Sequence, residues 1–283
     1  MILSTQTSIL GPEFGDDAAI EMIAAYGFDA YDFSFHVHET DGVIQNMEYM
    51  HHLRKVADDA GIICNQAHAP FPSERLGEDA HNEWMFNLIV KSMEAASILG
   101  AKHIVVHPIC YVPEGQDLVQ YNVDFYNRLK PYCQQFNIQV ALENMFFGSP
   151  EGYHPATCSP AENFVDLLDR LDARWFVGCL DVGHCGVIGE DPVHAIMTLG
   201  AQRLKALHIH DNDLVHDNHT IPYQGKLNWK EITAALAQVG YEGDFTYEAD
   251  NFLRGMPREL LPHGLKLLYE TGRYLVSLIE KNK

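Results

Sequence analysis

The feature that most constrains this chain is a repeated alternation of a short apolar segment with a longer segment whose apolar residues recur at helical spacing. The alternation occurs eight times, and Gly or Pro stands at many of the boundaries. Strands that are apolar on both faces are typical of parallel sheets covered by helices. Eight such units over 283 residues predict an α/β fold, a TIM (β/α)8 barrel, which typically takes about 250 residues. We expect a single barrel domain over residues 1–283.

The predicted strands and helices follow one another without a long gap. The strands are predicted at Ile2–Gln6, Ala30–Phe35, Ile62–His68, His103–His107, Ile138–Asn144, Trp175–Asp181, Leu204–His208 and Gly243–Asp250. The helix near Pro160 is predicted to have Ser159 as its N-cap, and the helix near Pro192 to have Asp191. A doubly wound open sheet is the competing arrangement, and it is disfavoured because no Gly-rich phosphate-binding turn follows the first strand.

Residue types that bind metals recur at the carboxyl ends of these strands. In the strand from Leu204, alternation puts Leu204, Ala206, His208 and His210 on one face, with Leu207 and Ile209 on the other. A buried imidazole is costly without a partner, and a divalent metal is one such partner. The residues at or just beyond the strand ends are His68, His107, Glu143, Asp181, His184, His208, Asp217, His219 and Glu248. Because the active sites of TIM barrels lie at this rim, we predict a metal site there.

Composition excludes several classes of protein. The formal net charge is −20 with only 19 Lys and Arg, which argues against a nucleic-acid partner. The six Cys contain no CxxC pair and are predicted to be free thiols. No apolar run approaches the roughly 20 residues that span a bilayer, and the first residues lack the basic start of a signal peptide. We therefore expect no membrane partner and a cytoplasmic location.

Four motifs carry a resemblance to a known family. They are Ala141-Leu142-Glu143-Asn144, Leu180-Asp181-Val182-Gly183-His184, His208-Ile209-His210-Asp211-Asn212 and Tyr247-Glu248. They resemble the motifs of the sugar phosphate isomerase/epimerase family, within the xylose-isomerase-like TIM barrel superfamily, and the resemblance covers the whole chain in order. The family name does not by itself imply a phosphorylated substrate, because no Gly-rich phosphate cradle follows the last strands and only Lys226 and Arg254 are basic near this rim. A neutral, polyol-like sugar is favoured.

The resemblance implies a metal-dependent isomerase or epimerase that transfers a proton next to the carbonyl of a small sugar or polyol. It implies that one divalent ion, Mn²⁺, Co²⁺, Zn²⁺ or Mg²⁺, is held by Glu143, Asp181, His208 and Glu248. Glu143 and Glu248 would also transfer the proton, and His184 would contact the substrate as the third catalytic residue. A homodimer or homotetramer is common for this fold, although the sequence contains no recognisable interface.

Three alternatives stay open within the superfamily. Abasic-site endonucleases hold three Zn²⁺ ions, and the further ligands of that site match His68, His107, His184, Asp217 and His219. The net charge and the lack of basic, aromatic DNA-contact loops argue against this function. In a sugar isomerase or epimerase, the same five residues would contact the substrate. The second alternative is a dehydratase of the inosose type. The third is a non-catalytic sugar-binding relic, which would be expected to have lost ligands.

The segment from Met145 to Ser159 is predicted as a long irregular loop beyond the fifth strand. It contains Gly148, Pro150, Gly152 and Pro155, which are typical of loops. Loops of this length often close over active sites. Glu151, Tyr153 and His154 are the residues that would reach the ligand in that case, and a plain surface loop is the alternative.

Overall fold

Eight parallel strands form one sheet in which the first strand lies beside the last. The computed structural model describes residues 1–149 and 152–282. The strands are β1 (Leu3–Gln6), β2 (Ala30–Ser34), β3 (Ile63–His68), β4 (His103–Val106), β5 (Gln139–Glu143), β6 (Phe146–Ser149), β7 (Gly152–Pro155), β8 (Phe176–Asp181), β9 (Leu204–His208) and β10 (Phe245–Tyr247). The sheet has the order β10-β1-β2-β3-β4-β5-β8-β9, and β6 and β7 form a separate two-stranded sheet.

The sheet closes between its two end strands. The backbone N–H of Ile209, just beyond β9, donates to the carbonyl of Thr246 at 2.9 Å, and the N–H of Glu248 donates back to Ile209 at 3.1 Å. With both edges paired, no strand of the barrel presents an open edge at this point. The predicted TIM barrel is therefore confirmed.

Helices cover the outside of the barrel and connect its strands. They are α1 (Leu10–Phe14), α2 (Asp16–Ala25), α3 (Met47–Ala60), α4 (Asp79–Leu99), α5 (Leu118–Phe136), α6 (Ala161–Asp169), α7 (Val182–Val187), α8 (Pro192–Arg203), α9 (Trp229–Gln238), α10 (Asp250–Leu253) and α11 (Leu261–Asn282). A 3₁₀ turn at Phe35–His38 follows β2. Within the described part of the chain, no helix combines the length and the hydropathy that a bilayer-spanning segment requires. All six Cys are free thiols, as predicted.

The barrel separates two apolar layers. A small inner cluster fills the barrel, and it consists of Val105, Ala141, Val177, Cys179 and Ala206. The large outer cluster lies between strands and helices, and it includes Leu204, Leu207 and Ile209. The predicted position of Leu204 on the inner face is therefore wrong. Gly178 pairs with Leu204 but the next residue, Cys179, pairs with Ala206, and this shift of register breaks the alternation.

Two local predictions after β5 are also wrong. The segment predicted as an irregular loop contains the antiparallel hairpin of β6 and β7, because Phe146 pairs with Pro155 and Phe147 with His154. Ser159 does not cap the next helix: the N-cap position is Pro160, and the first helical N–H, of Ala161, donates to the side chain of Glu190 at 2.7 Å. The side chain of a residue 29 positions away therefore replaces the local cap. Asp191 does cap α8, as predicted, by accepting from Val193.

The last helix, α11, is expected to be indispensable for folding. Its apolar face buries Leu261, Leu265, Leu268, Leu275, Val276 and Ile279. Each large apolar side chain that is fully buried contributes about 1.5–3 kcal/mol, so the six together contribute as much as the about 5–15 kcal/mol that separates folded from unfolded domains. Deleting residues 260–283 should abolish the cooperative thermal transition in circular dichroism. A chain lacking only residues 281–283 is the control, and a native melting curve for the longer deletion would contradict the prediction.

Candidate metal centre

The carboxyl ends of four strands bring Glu143, Asp181, His208 and Glu248 together. Glu143 ends β5, Asp181 ends β8, His208 ends β9, and Glu248 directly follows β10. Each of the four side chains offers a ligand atom within 4.8 Å of the others, and none of the four residues exposes more than 9% of its surface. Parallel strands whose carboxyl ends meet at one rim produce this convergence.

The spacing of the donor atoms fits a divalent metal ion better than a set of hydrogen bonds. His208 Nδ1 lies 2.8 Å from Glu143 Oε1 and 2.8 Å from Glu248 Oε2. A single ring N–H cannot serve both carboxylates: when it donates to Glu143 Oε1, Glu248 Oε2 stays buried without a hydrogen bond from the described residues. Ligand atoms that surround an ion at about 2.1 Å lie about 3 Å from one another. The residues present therefore fit the ion that the resemblance implies.

Three polar side chains beneath this group hold its members in position. Gln6 donates to Glu248 Oε1 at 3.0 Å, and Gln66 Nε2 lies 3.0 Å from His208 Nε2. Gln66 also donates to Asp32 at 2.8 Å. Outer partners of this kind set the ring orientation of histidines that bind metals. The sequence prediction missed all three, although Gln66 lies two residues before His68 and hence on the same face of β3.

A second donor group lies beside the first. It consists of His184, His210, Asp217 and His219. His219 Nε2 lies 2.8 Å from Asp217 Oδ2, His210 Nε2 lies 2.9 Å from Asp181 Oδ1, and the rings of His210 and His219 stack at 4.0 Å. His210 was not predicted as a site residue, although alternation from His208 had put it on the same face.

A third donor group shares Glu143 with the first. His68 Nε2 and His107 Nε2 lie 3.1 Å apart, and they lie 3.6 Å and 3.1 Å from Glu143 Oε2. The structure thus brings all nine predicted site residues together in three adjoining groups.

Backbone carbonyls fix the orientation of three of these imidazoles. The Nδ1 atoms of His68, His184 and His219 each lie 2.8 Å from a carbonyl oxygen, those of Ala69, Asn144 and Glu248 respectively. Because a carbonyl only accepts, each Nδ1 carries the proton and donates it. Each Nε2 then faces the donor groups, which is the arrangement common around metal-binding histidines. His219 Nε2 lies 2.8 Å from Asp217 Oδ2, and His68 Nε2 lies 3.1 Å from His107 Nε2.

Both glutamates are ionised at neutral pH. Burial alone would raise the pKa of Glu143, but the charge of His208, its hydrogen bond to Glu143 and the neighbouring imidazoles of His107 and His68 outweigh it and hold the pKa well below its usual range. The pKa of Glu248 is likewise held well below its usual range by His208, against burial. An ionised carboxylate is the form that both a metal ligand and a general base require.

Hydrogen bonds and one glycine hold the segments that carry the second donor group in position. Asp181 caps α7 by accepting from the N–H of His184 at 2.7 Å, so the segment after β8, predicted without secondary structure, is a short helix. A Cβ at Gly183 would overlap the ring of His210, which only glycine avoids. Asp211 accepts from Trp229 Nε1 at 2.8 Å and from the backbone of Tyr223, and this anchors the loop that holds Asp217 and His219.

A cavity of about 350 Å³ opens above the donor groups. Phe71 stacks on His107 with the ring centroids 4.5 Å apart, and Phe146 meets His184 edge-on at 4.9 Å, so aromatic rings form two of its walls. Among the described residues, the lining contains the carboxylates of Glu74, Glu143, Asp217 and Glu248 and no Lys or Arg. Lys226 and Arg254, the basic residues near this rim in the sequence, do not line it.

The hairpin reaches this cavity through one residue. Phe146 lines the cavity, whereas Tyr153 packs behind Phe146 with the ring centroids 4.6 Å apart. His154 Nε2 lies 2.9 Å from Ser149 Oγ within the hairpin. Neither Tyr153 nor His154 is among the described residues that line the cavity, and Glu151 lies outside the described residues. The hairpin therefore shapes one wall of the cavity in this conformation.

Comparison with known proteins identifies the family. The sequence profile of the xylose isomerase-like TIM barrel family matches residues 20–271. A D-psicose 3-epimerase from Enterocloster bolteae is 24% identical over 233 residues, 79% of this chain and 73% of that protein. The crystal structure of D-psicose 3-epimerase with D-tagatose from Clostridium cellulolyticum H10 is similar with a TM-score of 0.74 and 18% sequence identity. The match covers 98% of this chain and 99% of that one. The crystal structure of IolI protein with a zinc atom is similar with a TM-score of 0.77 and 16% sequence identity. The match covers 100% of this chain and 99% of that one. Since the family match spans nearly the whole barrel, this chain belongs to the xylose isomerase-like TIM barrel family.

Proposed function

We propose that this protein is a divalent-metal-dependent isomerase or epimerase of a small neutral sugar. The observation that carries the proposal is the pair of ionised glutamates on either side of His208 Nδ1, each 2.8 Å from it, at the floor of the cavity. Similar proteins include D-psicose 3-epimerases. This similarity supports a sugar as the substrate and a change of configuration or carbonyl position as the reaction.

Glu143, Asp181, His208 and Glu248 would hold the ion. When bound, a divalent ion supplies Lewis-acid stabilisation of the negative charge that develops on a substrate oxygen. The zinc in the similar IolI structure supports a divalent ion as the cofactor. The further histidines are then free to contact the substrate.

In this proposal, the two glutamates transfer the proton. Glu143 and Glu248 follow strands β5 and β10, so they reach the cavity floor from different sides of the barrel. Glu143 Oε2 accepts no hydrogen bond from the described residues, and this oxygen and the carboxylate of Glu248 would accept a proton from a carbon next to the carbonyl. One glutamate removes the proton, and the other returns it. His184, whose Nδ1–H is held by Asn144, presents Nε2 to a substrate hydroxyl.

The charges around the cavity favour a neutral substrate over a phosphorylated one. Four carboxylates and no Lys or Arg line it among the described residues. Recognition of a phosphate relies on Arg, Lys or a cradle of backbone N–H groups. The aromatic walls of Phe71 and Phe146 suit the C–H faces of a sugar ring instead.

A second candidate function is a zinc-dependent phosphodiesterase that acts on abasic DNA. The observation in its favour is that all three donor groups are formed, which provides ligands for up to three Zn²⁺ ions. The net charge of −20 and the acidic cavity oppose the approach of a DNA backbone. A dehydratase of the inosose type would use the same donors and is distinguished by its product.

Metal content and product analysis test these alternatives together. Purified protein should contain one tightly bound divalent ion per chain by elemental analysis. With Mn²⁺ present it should epimerise or isomerise ketohexoses such as D-psicose, D-tagatose or D-fructose, and lose this activity after chelation. Three zinc ions per chain together with nicking of abasic duplex DNA would replace the proposal with the second candidate. A product lacking one water would identify the dehydratase.

A further inference from the structure

A second cavity of about 410 Å³ adjoins the first at the same rim of the barrel. It lies among the segments that follow β1, β2 and β10. Its polar lining consists of Ser8, Glu13, His36, Asp250 and Arg254, and its apolar lining includes Ile9, Val37, Leu253 and Met256. None of these residues belongs to the three donor groups.

Side chains that line one cavity contact side chains that line the other. His36 lines the second cavity and Phe71 the first, and their ring centroids lie 5.2 Å apart. Asp250 lines the second cavity, and its Oδ1 lies 3.9 Å from Nδ1 of His219, which lines the first. A ligand held above Glu248 in the first cavity therefore lies next to the second.

Two buried polar atoms of the second cavity have no hydrogen-bond partner among the described residues. They are His36 Nδ1 and Asp250 Oδ1. The other oxygen of Asp250 accepts from Ser8 at 2.8 Å, which holds the carboxylate in place. A hydroxyl group both donates and accepts hydrogen bonds, so the hydroxyls of a polyol suit both kinds of atom. The interleaved apolar side chains suit the C–H faces of a sugar ring.

The charges of this cavity exclude a phosphate or carboxylate as the favoured occupant. Two carboxylates, Glu13 and Asp250, outnumber the single guanidinium of Arg254. An anionic group would meet net negative charge, whereas a neutral polyol can donate to the carboxylates and accept from Arg254.

We infer that the second cavity is a subsite for a second neutral, hydroxylated unit, so that a disaccharide or a glycoside is a better substrate than the free monosaccharide. The reacting sugar occupies the first cavity above Glu143 and Glu248, and the attached unit extends past Phe71 to contact His36 and Asp250. This inference rests on the proposed sugar isomerase or epimerase function.

The test compares D-fructose with isomaltulose, which is D-fructose carrying a glucosyl group on the oxygen farthest from the carbonyl. Isomaltulose should be the better substrate in kcat/KM and the tighter ligand by calorimetry, by about tenfold or more, the equivalent of one or two added hydrogen bonds. Pro12→Trp places a large ring at the exposed edge of the cavity and should remove this advantage while D-fructose kinetics stay unchanged. Arg254→Ala should raise KM for isomaltulose with little effect on kcat. Lys230→Ala, exposed and outside both cavities, is the control.

The possible results separate the inference from the proposed function. If D-fructose is turned over as efficiently as isomaltulose and Pro12→Trp changes neither, the subsite is refuted while the epimerase proposal stands. If neither sugar is bound or turned over by the metal-loaded protein, the proposed function fails together with the subsite. Loss of isomaltulose activity in the Lys230→Ala control would also refute the assignment.

Discussion

His208→Ala is expected to abolish tight metal binding. The imidazole is fully buried, and its Nδ1 lies 2.8 Å from each of the two glutamates that share the site. Removal of outer partners alone typically costs 10–100-fold in metal affinity, so removal of the ligand itself should cost roughly 10²-fold or more. Two ionised carboxylates would then face each other without a cation between them, which is strongly unfavourable in a buried site. Elemental analysis after dialysis and calorimetric titration with Mn²⁺ measure the loss.

Two further variants make this result specific. Gln66→Leu removes the contact to His208 Nε2 but no ligand, so affinity should fall by only about 10–100-fold. His216→Ala is the control, because this histidine follows the same strand but is exposed, and its ring contacts Asp213 at the surface. A His208→Ala protein that retains one ion per chain after dialysis would contradict the assignment of the site.

Glu143→Gln and Glu248→Gln should each reduce the turnover rate by about 10²-fold or more, since positioned acid–base catalysis typically contributes 10²–10⁴-fold. Each replacement removes a proton acceptor and leaves the shape of the site. Metal affinity should fall less than in His208→Ala, because an amide oxygen still coordinates weakly. Glu259→Gln, at an exposed position, is the control and should leave the turnover rate unchanged.

The same mechanism makes a prediction about the migrating hydrogen. A proton held on a glutamate exchanges with water, so turnover in deuterium oxide should place deuterium on the carbon next to the carbonyl of the product. A hydride shift would carry the hydrogen across without exchange. Absence of deuterium under full turnover, with near-normal rates for both glutamine variants, would rule out the two-glutamate mechanism.

The sequence alone is sufficient to predict the barrel and the residues that its rim brings together. Hydrophobic periodicity is local, so the eight strands can be recognised one at a time. In a parallel barrel, a residue at the carboxyl end of any strand faces the same rim, whatever its distance along the chain. This is why Glu143, Asp181, His208 and Glu248, from four different strands, can be assigned to one place from their sequence positions.

Only the tertiary structure shows the features that depend on strand register or on contacts between residues far apart in the chain. Leu204 faces outward because β8 and β9 pair with a shift, and α6 is capped by Glu190 instead of its neighbour Ser159. Gln6 and Gln66 could not be recognised as supports, because their contacts with Glu248 and His208 join residues 242 and 142 positions apart. The two cavities likewise arise where loops from different strands meet. The periodicity of the sequence predicts the face on which a side chain lies. Its contacts on that face depend on how the whole chain packs.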